Sequence, residues 1–185
     1  MALMRTTSMR TTSRTSLLMT TLAAAVTLAG CGNGVTTEVR GIVGLTADSS
    51  GAAVILLSPC GASLDRITIS GLVDRSSGSA TATNPVIGAF SAASAPTVTS
   101  GIVMGAPQPP WTVTKAVDPL QVTGGFVIDA SSSTADQAAT SVLVSRAALD
   151  SLDAGHVVVR EGESWTRAEF DARACSPQSW PTTGG

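Results

Sequence analysis

Short runs of apolar and β-branched residues, divided by turn-forming residues at intervals of about ten positions, dominate this chain from residue 35 onward. Residues 53–57 are wholly apolar, a pattern typical of a strand buried on both faces or of a central sandwich strand. Within residues 65–70, Ile67 and Ile69 alternate with polar side chains, which indicates a strand with one solvated face. About eight such strands predict a mainly β fold, an immunoglobulin-like antiparallel β-sandwich with one or two short C-terminal helices.

Turn and loop signals separate the predicted strands. Residues 48–51 predict a turn, and residues 76–84 and 130–138 predict polar loops. Residues 107–111 contain three prolines and predict a stiff extended connector that ends in a packed tryptophan. Gly124-Gly125 predicts a bulge or bend. The predicted strands cover residues 35–43, 53–57, 65–70, 86–90, 97–103, 112–117, 120–128, 141–144 and 156–160.

Two short helices are predicted near the C-terminus. Ser145 is a suitable N-cap for a helix that runs through Leu149 and Leu152 and ends at Gly155. We expect the strand at residues 156–160 to be the last one. The sequence after it predicts a second helix.

A capping box opens the second predicted helix. Thr166 and Glu169 have the spacing at which each side chain satisfies the other residue's backbone N–H. The helix is predicted to reach about Ala174, with Phe170 and Ala174 on one face because they are four positions apart. We expect Phe170 to pack on the sandwich.

An export signal precedes the predicted domain. Arg5, Arg10 and Arg14 form a basic leader, and an apolar run follows between Leu17 and Leu28. This order is that of a secretory signal peptide, which is removed after export. The stretch from Leu17 to Gly30 has 14 residues, fewer than the ~20 that a transmembrane helix needs. We therefore expect cleavage rather than a membrane-spanning anchor.

The signal ends in Leu28-Ala29-Gly30-Cys31, which resembles the lipobox of bacterial lipoproteins. The resemblance implies cleavage after Gly30, linkage of Cys31 to diacylglycerol, and attachment to the extracytoplasmic face of the bacterial cell membrane. A thiolate is a strong nucleophile, which suits alkylation at Cys31. The alternative is an ordinary cleaved signal with an incidental cysteine. The expected organisation is a signal peptide over residues 1–30, an acylated tether over 31–34, a sandwich domain over 35–175 and a flexible tail over 176–185.

Cys60 and Cys175 remain if Cys31 carries lipid. Two cysteines in an exported protein are expected to form one disulfide, here between an early loop and the C-terminal segment. The alternative is a pair of free thiols. A metal site is not expected, because two cysteines at this separation without a nearby histidine lack the spacing of a zinc site.

Charge is sparse in this chain and becomes acidic once the leader is removed. Charged residues make up 13% of the sequence, about half of the usual share. The mature chain keeps 8 basic and 13 acidic residues, a net charge of −5. Nucleic-acid binding requires a basic face, so no nucleic-acid partner is expected. Attachment to an anionic bilayer is expected through the N-terminal lipid rather than through charge.

His156 is the single histidine of the chain and the first candidate for catalysis. A general base needs a nucleophile and an orienting carboxylate. Asp150 and Asp153 are close in sequence, and serines are abundant. The sequence has no Gly-x-Ser-x-Gly elbow and no Ser-x-x-Lys motif leading to Lys115. The simpler expectation for His156 is an exposed turn residue.

Acidic pairs are the other candidates. Glu161 and Glu163 flank Gly162 in a hairpin-like sequence, where we expect them to be solvated. Asp48 and Asp74 lie in predicted loops, but neither loop has the dense oxygen-ligand spacing of a calcium site. The prediction is therefore no catalytic residue, no bound metal and no cofactor.

Several short motifs are together similar to small exported proteins of high-GC bacteria that have no assigned activity. They are Ser58-Pro59-Cys60-Gly61, Ile67-Thr68-Ile69, the late short helix, the Gly-x-Val strand and the helix from Phe170 to Cys175. This resemblance covers residues 35–175 and implies no functional residue.

Three functional hypotheses follow. The first is a membrane-anchored, non-enzymatic binding or structural module of the cell envelope, with a membrane-proximal protein or an envelope component as its partner. The second is a small exported hydrolase that uses His156, and the third is an accessory or chaperone-like subunit that uses an open sheet edge. An apolar patch rimmed by polar residues would favour binding, whereas a pocket joining His156 to a serine and an aspartate would favour catalysis.

Overall fold

A computed structural model describes residues 37–72, 83–117 and 125–176 of the chain. The first six strands are β1 (Glu38–Ala47), β2 (Ala53–Ser58), β3 (Arg66–Gly71), β4 (Val86–Ala92), β5 (Ser100–Val103) and β6 (Trp111–Lys115). They are followed by β7 (Phe126–Ser131), β8 (Gln137–Thr140), β9 (Val142–Val144), α1 (Arg146–Asp150), β10 (His156–Val159), β11 (Glu163–Thr166) and α2 (Arg167–Arg173). The prediction of a mainly β fold with two short helices near the C-terminus is confirmed.

The strands form one continuous sheet that folds into two layers. The first layer has the order β5-β2-β1-β10-β11, and the second has the order β6-β4-β3-β7-β9. Strand β8 pairs with β1 of the first layer and with β7 of the second. The result is a β-sandwich, as predicted, whose layers are joined along one edge by β8.

The prediction of an antiparallel sheet needs one correction. Strands β1 and β8 run parallel, with Ile42 opposite Thr140, whereas the other pairings of the described strands are antiparallel. The register of this pair shifts at Gly41, where φ is 86° and an added Cβ would lie 2.2 Å from the carbonyl oxygen of Ser58. Glycine is needed there because the bulge presses β1 against the end of β2. Alternation along one strand carries no information on the direction of a distant partner, so the sequence could not reveal this pair.

The main core lies between the two layers. Alternate positions of β1 and β2 point into it, and Phe90 and Phe126 of the second layer are almost completely buried. Trp111, at the end of the proline-rich connector, is also buried in this core, as predicted. The remaining large members are Val43, Leu45, Ile55, Leu57, Leu64, Ile67, Ile69, Ile87, Ile102, Ile128, Val142, Val144 and Val158.

The first layer is buried on its outer face as well. The intervening positions of β1, β2 and β10 pack with Trp165 and with Phe170 and Ala174 from the α2 segment. The other buried members of this outer cluster are Ile42, Val54, Leu56, Val157 and Val159. The wholly apolar run at residues 53–57 therefore belongs to a strand buried on both faces, one of the two alternatives that its pattern predicts.

Helix α2 begins at the predicted capping box. The Glu169 N–H donates to Thr166 Oγ1 at 3.2 Å, and the Thr166 N–H donates to Glu169 Oε2 at 2.9 Å. Phe170 and Ala174 are both buried, which confirms their common face. The helix therefore covers the outer face of the first layer.

Helix α1 is capped by Ser145, as predicted, since Ser145 Oγ accepts from the Ala148 N–H at 3.1 Å. It ends at Asp150 and not at the predicted Gly155. The cause is the Asp153 carboxylate, which accepts from the backbone N–H groups of Gly155 and His156 at 2.7 and 2.9 Å. These bonds turn the chain toward β10.

Other boundaries also differ from the predictions. Strand β1 continues to Ala47, four residues beyond the predicted end. The predicted loop at 130–138 is wrong at both ends, because β7 extends to Ser131 and β8 begins at Gln137. Strand β10 is not the last one, since β11 follows it. Residues 1–36, 73–82, 118–124 and 177–185 lie outside the described ranges, and with them most of the predicted loop at 76–84, part of the predicted strand at 120–128 and nearly all of the predicted tail.

The described part of the chain contains two helices, α1 and α2, and neither is long and apolar enough to cross a membrane.

Candidate functional site

The predicted cleavage and lipidation residues, Gly30 and Cys31, lie outside the described residues, as does the predicted tether. Lipidation therefore stays a prediction. The described chain begins at Thr37, one residue before β1.

Cys60 and Cys175 form a disulfide, which confirms the predicted pairing, and their Cα atoms are 5.2 Å apart. Cys60 follows β2 and has a φ of 51°, in the left-handed region, while Cys175 lies just beyond α2. Ser58 Oγ lies 3.4 Å from Cys175 Sγ and accepts a hydrogen bond from Thr99 Oγ1 at 3.2 Å. The bond thus fastens the C-terminal end of α2 to the end of β2.

His156 is exposed at the start of β10 and pairs with one of the two aspartates considered for it. Its Nδ1 lies 3.0 Å from both carboxylate oxygens of Asp153. The hydrogen bond from His156, together with the backbone N–H of Gly155, lowers the pKa of Asp153 below its ordinary value. Asp150 instead pairs with Arg146 at 3.0 Å.

Two serines share a small cleft of about 300 Å³ with this pair. They are Ser151, which follows α1, and Ser164, which lies on β11. The Ser151 hydroxyl donates to the carbonyl oxygen of Ala148 at 3.2 Å. The cleft therefore brings together the residue types of a catalytic triad, with Asp153 and His156 already paired.

One member of each acidic pair makes local contacts, Asp48 in one pair and Glu163 in the other. Asp48 Oδ1 accepts hydrogen bonds from Ser50 and Ala52. These bonds lower the pKa of Asp48, and the bond from the Ser50 hydroxyl has the largest effect. Glu163 Oε1 accepts from Trp165 Nε1 at 2.7 Å. Asp74 lies outside the described ranges. Within those ranges, no three histidine, cysteine or acidic side chains are grouped to hold a metal ion.

An open cleft of about 760 Å³ lies between β9 and β10, and we call it the β9–β10 cleft. It forms where β8, paired with both layers, continues into β9, which pairs with β7 alone among the described strands. The Leu143 N–H donates to the Arg160 carbonyl oxygen at 2.6 Å across this junction. The described lining consists of Leu72, Val127, Thr140, Ser141, Leu143, Arg160, Glu161 and Glu163.

The walls of the β9–β10 cleft are apolar, and its rim is charged. Leu72 and Leu143 expose 39% and 36% of their surface and contribute apolar area to the cleft. Thr140 Oγ1 is buried and has no hydrogen-bond partner among the described residues. A buried hydroxyl normally has a partner, so Thr140 Oγ1 is an unsatisfied polar atom of the described part of this region.

Trp165 contacts charged side chains of the rim. The Arg160 guanidinium lies 5.9 Å from the centre of the Trp165 ring, and the Arg173 guanidinium lies 5.7 Å from it. The Trp165 indole also donates to Glu163. A buried aromatic ring thus positions one cation and one carboxylate of the rim. The sequence did not predict Leu143, Thr140 or Arg160 as site residues. Each belongs to a strand or turn whose sequence contains no motif of a functional site.

A second pocket, which we call the end pocket, opens where the turn after β1 leads into β2. Its volume is about 420 Å³, and it lies at the opposite end of β1 from Thr37. Both layers and α1 contribute to its walls. The described lining is entirely apolar and consists of Ala52, Ala53, Val103, Met104, Gly105, Ala106, Val117, Phe126 and Leu149.

Comparison of the chain with protein-family models, with curated proteins and with solved structures gives no significant match.

Proposed function

We propose that this chain is an extracytoplasmic lipoprotein, held to the cell membrane through an acylated Cys31, whose sandwich domain is a binding module that takes its partner in the β9–β10 cleft. The observation that carries the binding role is the combination of exposed Leu72 and Leu143 with the charged rim around Arg160. Apolar contact area surrounded by polar groups is the usual composition of a recognition surface.

The sequence and the disulfide support export and anchoring. Leu28-Ala29-Gly30-Cys31 follows a basic and an apolar segment, as in a lipoprotein signal. Disulfides persist in oxidising compartments outside the cytoplasm, and the Cys60–Cys175 bond is consistent with such a location.

Metabolic labelling with a palmitate analogue tests the anchor. Cys31→Ser should abolish lipid labelling and leave the precursor unprocessed or released. Ala135→Ser is the control, because it places the same serine in an exposed turn of the domain and should leave labelling unchanged. Equal labelling of the wild-type chain and of Cys31→Ser would refute the anchor.

The partner is expected to be close to the membrane. The six residues from Cys31 to the start of the described chain span at most about 20 Å, so the domain stays near the bilayer surface. A membrane protein or a component of the inner envelope is therefore the expected class of partner.

Site-specific photo-cross-linking in cells tests the cleft. A photoreactive amino acid in place of Leu143 should give a discrete adduct, and Arg160→Ala in the same chain should reduce its yield. The control position is Val113 on β6, which exposes 47% of its surface and belongs to the opposite edge of the second layer. Equal adducts from both positions, or no effect of Arg160→Ala, would contradict binding in the cleft.

The second candidate function is hydrolysis at His156. It is favoured by the Asp153–His156 pair in a cleft that also contains Ser151 and Ser164. A fluorophosphonate probe, which reacts with activated serines, should then label the exported protein, and labelling should be lost in His156→Ala. Absence of labelling in the wild-type protein would exclude an activated serine at this cleft.

A further inference from the structure

We infer that the end pocket binds one unbranched hydrocarbon chain, the acyl tail of a fatty acid or of a phospholipid, with the polar head of the lipid at the pocket mouth. The inference concerns a different surface from the β9–β10 cleft and does not depend on what that cleft binds.

The lining determines the class of ligand. Sites for polar ligands place a few polar groups among apolar ones to fix orientation, whereas the described lining of the end pocket has only apolar side chains. Among the described lining side chains, the only hydrogen-bond acceptor is the thioether of Met104, and it is a weak one. An ordered water needs two to four polar partners, so water is poorly suited to this pocket. The described lining therefore favours a ligand whose inserted part lacks hydrogen-bonding groups.

The volume determines the size of the ligand. The end pocket has about 420 Å³, roughly three times the ~150 Å³ of an apolar cavity that holds benzene, a ring of six carbons. About 12–18 carbon atoms therefore fit, by the same comparison. One protruding amino-acid side chain has fewer carbon atoms than this, whereas one acyl tail has about this number.

The walls suit a flexible chain. Ala52, Ala53 and Gly105 are small and leave the space open, while Phe126 is fully buried beneath it. Met104 is partly buried against the main core and has an adaptable side chain. A bound acyl tail would thus extend the main core toward this end of the sandwich.

Photoaffinity labelling of the reconstituted lipoprotein tests this inference. The first arm supplies hexadecanoic acid with a diazirine in its chain, and the second supplies phosphatidylglycerol vesicles with the same diazirine chain. The probe is added after purification, when Cys31 already has its lipid, and adducts are located by peptide mass spectrometry. Adducts on the peptides that contain Met104 or Leu149 are expected in at least one arm. The arm that gives them identifies the source of the acyl chain.

Two tryptophan variants separate pocket binding from general labelling. A Cβ on Gly105 would meet nothing within 4 Å, so Gly105→Trp should fill the mouth without strain. Loss of burial for two methylenes weakens binding by about tenfold, and pocket adducts should fall accordingly. Ala135→Trp is the control, because Ala135 is exposed in the β7–β8 turn at the other end of β1. A cooperative unfolding transition verifies that each variant is folded.

Competition by unlabelled acids gives a second readout on the wild-type chain. Each methylene removed from the competitor should weaken it by up to about fourfold, so tetradecanoate should compete and butyrate should not. Adducts spread over the whole surface, insensitivity to Gly105→Trp, or competition independent of chain length would overturn the inference.

Discussion

Gly44 of β1 and Phe170 of α2 are in direct contact on the outer face of the first layer. A Cβ built on Gly44 would lie 2.9 Å from Phe170 Cε2 and 2.4 Å from Val157 Cγ1. Helix α2 can therefore approach β1 closely only because position 44 has no side chain.

Gly44→Ala should destabilise the domain because the added methyl group overpacks this contact. We expect a loss of about 1–3 kcal/mol in the free energy of unfolding, measured by denaturant titration. Gly105→Ala is the control, since its Cβ would meet open space. Phe170→Leu combined with Gly44→Ala should cost less than the sum of the two single changes, because the smaller side chain relieves the overlap. Strict additivity would show that the two residues do not interact.

The Cys60–Cys175 bond should contribute strongly to stability because it closes a loop with a sequence separation of 115. The chain-entropy model gives about 4–5 kcal/mol for a loop of this length. Cys60→Ser should lower the unfolding midpoint and leave one thiol that reacts with an alkylating agent, detected by mass. The double variant Cys60→Ser, Cys175→Ser serves as the control whose midpoint a reductant does not change. Two alkylated cysteines in the exported wild-type domain would contradict the bond.

Helix α2 should loosen at low pH through Glu169. Hydrogen bonds from the Thr166 backbone N–H and hydroxyl, then the charges of Arg173 and His156, lower the pKa of Glu169 below its ordinary value. A lowered pKa stabilises the fold above the unfolded-state pKa, and this contribution is lost as the pH falls through the folded-state value. The stability difference between wild type and Glu169→Gln should therefore be constant near neutral pH and shrink below about pH 4.3. A difference independent of pH would show that the charge of Glu169 does not support the helix.

Limited proteolysis should spare β1. This strand pairs with β2, β8 and β10, and its residues from Gly41 to Ala47 are buried. Partial digestion of the detergent-solubilised protein should therefore leave the strand intact. Rapid cleavage between residues 38 and 45 would instead indicate a long tether and would overturn the expectation of a domain close to the membrane.

The sequence predicts elements with strong local signals. The capping box of Thr166 and Glu169, the N-cap Ser145 and the alternation of Ile67 and Ile69 all specify a backbone conformation within a few residues. The Cys60–Cys175 pairing was predictable for a different reason, since the expected lipidation of Cys31 would leave a single possible pair. Each of these predictions depends either on residues within one short segment or on the number of cysteines in the chain.

The remaining features depend on pairing between distant segments. Residues 137–140 have no alternating pattern, and β8 exists because β1 and β7 supply backbone partners on both sides. The β9–β10 cleft opens where those partners diverge, so Thr140 and Arg160 become neighbours only in the folded chain. Neither residue carries a local signal that would have marked it as part of a site.

The central position of β1 has a consequence for the order in which the domain can be built. If the chain is exported as proposed, β1 is the first of the described strands to leave the membrane, yet β8 begins at residue 137 and β10 at residue 156. Long-range pairing of this kind is slow to form, and the open edge of β1 is exposed to aggregation until its partners arrive. A nascent chain that does not yet include Cys175 would also lack the Cys60–Cys175 disulfide. A domain exported as proposed is therefore open to aggregation during nearly the whole of its synthesis, and a chaperone acting at that stage would have β1 as its natural substrate.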